Sequence, residues 1–150
     1  SMNKKMSEFE KIERGDLIFF YPSNVFEKII AYFDGRYCHC GIYLGDGLVL
    51  SMTRQGLRIE KILASRKYDA FSVDTDKQEE LIQFLLSQFS VAKYDFLGIL
   101  NFIFSFINER PSRFYCSEFL ALGLFYIGLL PERLQLSPLQ LSNQEFLKKK

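Results

Sequence analysis

The spacing of apolar residues is typical of strands in the first half of the chain and of helices in the second half, and this order limits the folds that the chain can adopt. Between residues 17 and 73, short apolar runs are separated by turn residues such as Gly45-Asp46-Gly47, a pattern typical of antiparallel strands. From Asp76 onward, apolar residues recur at the spacing of one helical face. Strands in one block and helices in another favour an α+β fold.

The first predicted strand is the apolar run that follows Gly15 and is closed by Pro22. An amphipathic helix over residues 24–33 should follow it. We then expect four more strands that pair in the order of the sequence, as an antiparallel meander or a small barrel packed against helices. These four strands are residues 38–44, 48–53, 57–61 and 68–73.

Three further helices are predicted in the second half of the chain. One begins near Asp76, the next spans residues 95–107, and the last spans residues 116–127, where Gly128 and Pro131 end it. A chain of 150 residues without a Pro-rich or Gly-rich linker fits a single domain over residues 1–150, with its core at about residues 15–147.

The composition argues against two classes of partner. Apolar residues make up 48% of the chain and the net charge is only +1, so we expect no electrostatic attraction to nucleic acid or to an anionic membrane. The longest apolar stretches fall short of the roughly 20 residues that cross a bilayer, so no transmembrane segment is expected. The C-terminal Lys148, Lys149 and Lys150 are expected to form a solvated tail.

The three cysteines are an odd number, which favours a reduced, cytoplasmic protein; a signal peptide removed ahead of Ser1 is the alternative. Cys38 and Cys40 flank the only histidine, His39, but successive side chains of a strand point to opposite faces. Two thiols at that spacing match no common zinc pattern, so we predict no metal site and no cofactor. Both thiols are expected to pack in the core as inert residues.

His39 is one of two candidate catalytic residues in the sequence. The turn after its strand decides which residues lie beside it. A three-residue Gly-Asp-Gly loop puts Ser51 and Thr53 on the face of His39, whereas a two-residue Asp-Gly loop puts Met52 and Arg54 there. The simpler interpretation of His39 is an ordinary half-buried strand residue.

Cys116 is the second such residue, because it lies where an aromatic run meets the start of a helix. The unpaired backbone N–H groups and the positive end of the helix dipole favour thiolate over thiol at that position. The N–H of Cys116 can also donate to the oxyanion of a tetrahedral intermediate. A small buried apolar residue is the simpler interpretation, but a histidine on a strand elsewhere favours catalysis.

Three segments together resemble the NlpC-type cell-wall peptidases, which are papain-like cysteine hydrolases. Residues 15–20 (GDLIFF) and 39–47 (HCGIYLGDG) resemble their strand pair, and residues 115–119 (YCSEF) resemble their nucleophile helix. Here the cysteine segment follows the histidine strand, which is similar to the circularly permuted branch that includes the lecithin:retinol acyltransferase-like proteins. The resemblance covers about residues 15–128 and implies a papain-like fold of the circularly permuted NlpC type.

The resemblance also implies a function. Cys116 would be the nucleophile, His39 the general base, and Ser51, twelve positions after the histidine, the residue that orients the imidazole, with Thr53 as the alternative. Serine departs from the family, which usually has His, Glu, Asn or Gln there. The expected reaction is cleavage of an amide or ester acyl bond in a peptide or acyl-chain substrate. The alternatives are a lipid acyl hydrolase, an acyltransferase, and a catalytically weak binding module with the same fold.

Overall fold

The computed structural model describes residues 11–24, 28, 35–53, 55–94, 115–132 and 136–150. Within these ranges the chain forms an α+β fold, as predicted. The strands are β1 (Leu17–Phe20), β2 (His39–Gly45), β3 (Leu48–Thr53), β4 (Gly56–Lys61), β5 (Tyr68–Val73) and β6 (Leu147–Lys149). The helices are α1 (Gln78–Tyr94), α2 (Tyr115–Tyr126) and α3 (Pro138–Ser142). The helix predicted over residues 95–107 and most of the one over residues 24–33 lie outside the described residues.

One antiparallel sheet contains these six strands in the order β4-β3-β2-β1-β5-β6. All four residues of β1 are buried, and the strand pairs with β2 on one side and β5 on the other. A strand that is apolar on both faces belongs in the interior of a sheet, where neighbours satisfy both of its edges. The predicted sequential pairing is therefore confirmed through β4 but wrong for β5, which crosses over to pair with β1.

Apolar side chains cover both faces of the sheet. One face packs against the three described helices and forms the main core, which includes Phe19 and Cys40 from the strands and Cys116 and Phe119 from α2. The opposite face carries a smaller cluster that consists of Ile12, Ile18, Phe20, Tyr43, Val49, Ile62 and Ala70. Alternation along β2 places His39 on the side of this smaller cluster.

Close packing holds α2 against the rest of the core. A Cβ at Gly123 would lie 2.6 Å from Leu81 Cδ1, so the glycine is what allows α2 to approach α1. Gly128, at φ 85°, ends the helix with its N–H donated to the Phe125 carbonyl at 3.0 Å. The helix also packs against β2 and β3, which brings Cys116 to the sheet. Among the described helices, none combines the length and hydropathy that a bilayer span requires.

The C-terminal Lys148, Lys149 and Lys150 are exposed, as predicted, but they belong to an ordered end of the sheet and not to a tail. β6 pairs with β5, and Leu147 is buried in the main core. Lys150 Nζ lies 2.6 Å from Oδ2 of Asp16, a buried carboxylate. The prediction rested on charge alone; the exposure is confirmed, and the tail is wrong because the backbone of this strand pairs with the edge of β5.

Candidate active site

The β2–β3 hairpin decides which side chain faces His39. Its turn consists of Asp46 and Gly47, both with positive φ (53° and 78°), as a type I′ turn requires. Next to the turn Gly45 pairs with Leu48, and then one extra residue on β2, Leu44, forms a β-bulge that shifts the register by one.

The bulge brings Ser51 onto the face of His39. Beyond it Ile42 pairs with Leu50, and this register places Gly41 opposite Ser51. His39 Nε2 lies 3.0 Å from Ser51 Oγ. The loop therefore has two residues, as in the predicted Asp-Gly alternative. Ser51 nevertheless faces His39, as the predicted three-residue loop required.

Gly41 leaves the space that this contact needs. A Cβ at Gly41 would lie 2.7 Å from the Leu50 carbonyl oxygen and 3.1 Å from the Ser51 Cβ. The hydroxyl of Thr53, the alternative partner, donates instead to the Gly56 carbonyl at 2.9 Å. Ser51 is thus the hydroxyl that the structure places beside the imidazole.

Cys116 lies in the first turn of α2 and is buried. The groups that act most strongly on its thiol are Cys40, through its thiol and backbone, and the imidazole of His39. The hydrogen bond with the Cys40 thiol, followed by the hydrogen bond and charge of His39, holds the pKa of Cys116 well below its usual range, although burial opposes the shift. The structure thus brings the predicted nucleophile and base together, in surroundings that favour the thiolate.

His39 is half-buried, and its ring stacks on Phe20 with centroids 5.8 Å apart and planes 21° from parallel. Burial lowers the pKa of His39, but the hydrogen bond and negative charge of Cys116 raise it by more, so its pKa lies above the ordinary value. The nearby charges of Arg66 and Glu60 act in opposite directions. A raised histidine pKa beside a lowered cysteine pKa favours a thiolate–imidazolium pair.

The two thiols that flank His39 have different surroundings. Cys40 is fully buried, and burial, followed by the effect of Cys116, raises the pKa of Cys40 well above its usual range. Cys38 is half-buried, and its sulfur lies 3.6 Å from the Phe20 carbonyl and 3.3 Å from Arg66 Nη2. Packing in the core is confirmed for Cys40 and wrong for Cys38, because Cys38 precedes β2 and bonds to polar groups.

Glu118 was not among the predicted site residues. Its side chain is 9% exposed, and its Oε1 has no hydrogen-bond partner among the residues that the structure describes. Burial, and then the negative charge of Cys116, raises the pKa of Glu118 to about 7. The sequence did carry a signal for it: one acidic residue in an otherwise apolar helix, two positions after the predicted nucleophile.

A cavity of about 220 Å³ adjoins His39 and Ser51. The guanidinium of Arg66 lies 5.4 Å above the Phe20 ring at this cavity and hydrogen-bonds to Ser23. The lining of the cavity combines apolar and charged side chains, which suits a small ligand that has both an apolar and a polar part. The remaining lining residues are Val49, Glu60, Lys61, Ile62 and Leu63.

No protein-family model matches this chain, and no curated protein matches it. The likeness to NlpC-type peptidases therefore stays a prediction, and the site is interpreted from its own geometry. Among the described residues, no three His, Cys, Asp or Glu side chains are grouped to hold a metal ion. A cysteine whose pKa is lowered, an imidazole that contributes to that shift and a hydroxyl 3.0 Å from Nε2 of the imidazole are suited to nucleophilic attack on an acyl carbon.

Proposed function

We propose that the protein is a cysteine hydrolase that cleaves amide or ester acyl bonds, with Cys116 as nucleophile and His39 as general base. The observation that supports this proposal best is that Cys116 and His39 shift each other's pKa in opposite directions, while His39 Nε2 lies 3.0 Å from Ser51 Oγ. The three residues come from α2, β2 and β3. Covalent catalysis by cysteine requires a base in contact with the thiol and a third group that orients the base.

In the proposed first step, the Cys116 thiolate attacks the acyl carbon, and the backbone N–H of Cys116 stabilises the oxyanion. His39, protonated in the resting pair, then donates its proton to the leaving amine or alcohol, and a thioester remains. In the second step His39 accepts a proton from water, which attacks the thioester. Because Nε2 faces Ser51, Nδ1 is the ring nitrogen that we expect to exchange these protons.

Ser51 is the proposed orienting residue. Its hydroxyl can accept a hydrogen bond from the Nε2–H of His39 and so fix the tautomer and the ring angle. A neutral hydroxyl adds no negative charge to stabilise the imidazolium. The thiolate of Cys116 is then the main partner of that charge, and Ser51 contributes less to the rate than the other two residues.

The order of elements supports a papain-like fold of the circularly permuted NlpC type. The histidine strand and its hairpin precede the cysteine helix, which packs against both strands of the hairpin. The cavity beside His39, at about 220 Å³, is smaller than the roughly 300–1,000 Å³ of pockets for drug-sized ligands. This size favours a short acyl group or a single amino-acid side chain over a long lipid chain.

Hydrolysis of a chromogenic short-chain ester, followed with intact-protein mass spectrometry, tests the proposal. We expect an acyl adduct on Cys116 and a rate that falls by roughly 10²–10⁴ in His39→Ala and is abolished in Cys116→Ala. Ser51→Ala should lower the rate about 3- to 10-fold, since one hydrogen bond contributes about 0.5–1.5 kcal/mol. Thr53→Ala is the matched control and should leave the rate unchanged.

An added amine or alcohol acceptor separates the two related reactions. Transfer of the acyl group to the acceptor in preference to water would make the protein an acyltransferase that uses the same residues. A folded wild-type protein that forms no acyl adduct and hydrolyses neither esters nor peptide amides would contradict the proposal and favour a binding module.

A further inference from the structure

A second cavity lies next to the one that adjoins His39. Its volume is about 380 Å³, within the range of roughly 300–1,000 Å³ that is typical of sites for small molecules. Arg66 lines both cavities, so the two are neighbours. Cys116, His39 and Ser51 do not line the second cavity, and the proposed acyl chemistry therefore gives it no role.

The lining of the second cavity is predominantly basic. It contains one acidic residue, Asp69, and four basic residues, which are Lys11, Arg66, Lys67 and Lys150. Asp69 Oδ2 accepts the hydroxyls of Tyr21 and Tyr37, at 2.6 Å in both cases. The same oxygen lies 3.4 Å from Lys149 Nζ, and Lys149 is not in the lining. Because these donors already compensate the charge of Asp69, its carboxylate contributes little to neutralising the basic residues of the cavity.

Two of the lysines in this lining have no acidic partner. Lys150 Nζ lies 2.6 Å from Asp16 Oδ2, which compensates its charge. Neither Lys11 nor Lys67 forms an ion pair with an acidic side chain in the described part of the chain. Positive charges that share a cavity repel one another, and a bound anion would remove that repulsion.

Neighbouring side chains hold Arg66 at the boundary between the two cavities. Its guanidinium lies 5.4 Å above the Phe20 ring and hydrogen-bonds to the hydroxyl of Ser23. Its Nη2 lies 3.3 Å from the sulfur of Cys38. Because these contacts already fix the planar guanidinium, an anion that binds to it loses less free energy to ordering of the side chain.

We propose that the second cavity binds the phosphate group of a small, soluble phosphate monoester, whose apolar part packs on Ile12, Tyr68 and Ala70. These three residues line the same cavity and belong to, or pack against, the smaller apolar cluster of the sheet. A phosphate monoester carries about 1.5 to 2 negative charges at neutral pH and three acceptor oxygens, which suit several cations better than one carboxylate does. The inference goes beyond the proposed acyl chemistry and does not depend on it.

Titration of the isotope-labelled full chain with phenyl phosphate, followed by NMR, tests the proposal. We expect saturable shifts of the amide signals of Tyr68 and Ala70. Benzoate, which has less charge on the same ring, and inorganic phosphate, which lacks the ring, should bind more weakly, and uncharged benzyl alcohol should not bind there. The Kd for phenyl phosphate should rise about 2- to 5-fold in Lys67→Gln. Lys77→Gln, at an exposed position just before α1, is the matched control and should leave the Kd unchanged.

The wild-type titration decides the outcome even if a variant folds poorly. Three results would each overturn the proposal: no saturable shift at millimolar phenyl phosphate, shifts confined to the helical side of the sheet, or equal affinity for benzoate. Binding only to vesicles that contain phosphatidic acid would also overturn it, because the phosphate would then be a lipid headgroup. The readout is binding and not hydrolysis, so a protein that binds phenyl phosphate here but hydrolyses nothing would refute the proposed function and leave this inference standing.

Discussion

The pKa values of Cys116, His39 and Glu118 differ from those of the same side chains in water. Contacts with Cys40 and His39 lower the pKa of Cys116, the thiolate raises the pKa of His39 against the effect of burial, and burial raises the pKa of Glu118 to about 7. Since Glu118 loses its proton near neutral pH, the negative charge beside Cys116 increases over that range. The charge around Cys116 should therefore become more negative as pH rises through about 7.

The substitution Glu118→Gln tests the effect of this buried carboxyl. The folded-state pKa of about 7 lies above the ordinary value of 4.5, so the folded protein binds more protons than the unfolded chain between those pH values. Its stabilising contribution is complete below the ordinary pKa and is lost as pH rises through about 7. From about pH 4.5 to about pH 8, the unfolding free energy of the wild type should fall relative to Glu118→Gln by on the order of 1–2 kcal/mol.

Urea denaturation of both proteins across that pH range measures the difference. Glu80→Gln, on the exposed surface of α1, is the control and should follow the wild type. Parallel pH profiles for the wild type and Glu118→Gln would show that Glu118 is ionised in the folded protein at no extra cost.

At the scale of elements, apolar periodicity located most of the described strands and the helices α1 and α2. The same periodicity left the register of the β2–β3 hairpin open, because a type I′ turn and a bulge at Leu44 are both compatible with the local sequence. The pairing of β5 with β1 was also not predictable. It depends on the buried β1 having a neighbouring strand on each side, which the local sequence of β5 does not reveal. Packing across the sheet decides both the register of the hairpin and the pairing of β5 with β1. The position of Ser51 depends on the register of the hairpin.

The substitution Gly41→Ala tests whether the hairpin positions Ser51. The added methyl would lie 2.4 Å from Val49 Cγ1 and would also press on the Leu50 carbonyl and on Ser51, so we expect a loss of about 1–3 kcal/mol in unfolding free energy. Ester hydrolysis per folded molecule should fall as well, because the contact between His39 and Ser51 is disturbed.

Gly45→Ala is the control for Gly41→Ala. No neighbouring atom lies within 4 Å of a Cβ at Gly45, but its φ of 99° strains any other residue. It should lose about 1–2 kcal/mol of stability and keep the hydrolysis rate of its folded fraction. Equal loss of hydrolysis in the two variants would mean that the space at Gly41 has no specific role in the site.

At the scale of the whole molecule, the C-terminal residues form one edge of the sheet and bond to residues that precede the first strand. β6 extends the sheet at β5, and Lys150 bonds to Asp16 and to the Lys11 carbonyl at 3.0 Å. Asp16 also accepts the Glu13 N–H at 2.8 Å, so its buried carboxylate has two donors. Charge alone predicted that these lysines are exposed, but it carries no information about strand pairing or about a buried partner elsewhere in the chain.

Lys150→Ala should destabilise the fold through Asp16. Loss of the ammonium leaves the buried carboxylate with less compensation, which we expect to lower the unfolding free energy by about 1–3 kcal/mol. Lys148→Ala, whose side chain is exposed, is the matched control and should be neutral. Urea denaturation near neutral pH measures both, and equal stability of the two variants would show that the Asp16 contact contributes nothing.

The most direct test of the proposed nucleophile is the rate of iodoacetamide labelling of each cysteine at mildly acidic pH, resolved by peptide mass spectrometry. Only thiolate reacts at an appreciable rate, and the ordinary thiol pKa is about 8.5. We predict that Cys116 labels before Cys38 and Cys40, and that His39→Ala slows labelling of Cys116 by about tenfold or more because the imidazolium partner is lost. Faster labelling of Cys38 or Cys40 in the folded protein, or an unchanged Cys116 rate in His39→Ala, would contradict the assignment of Cys116 and His39 as nucleophile and base.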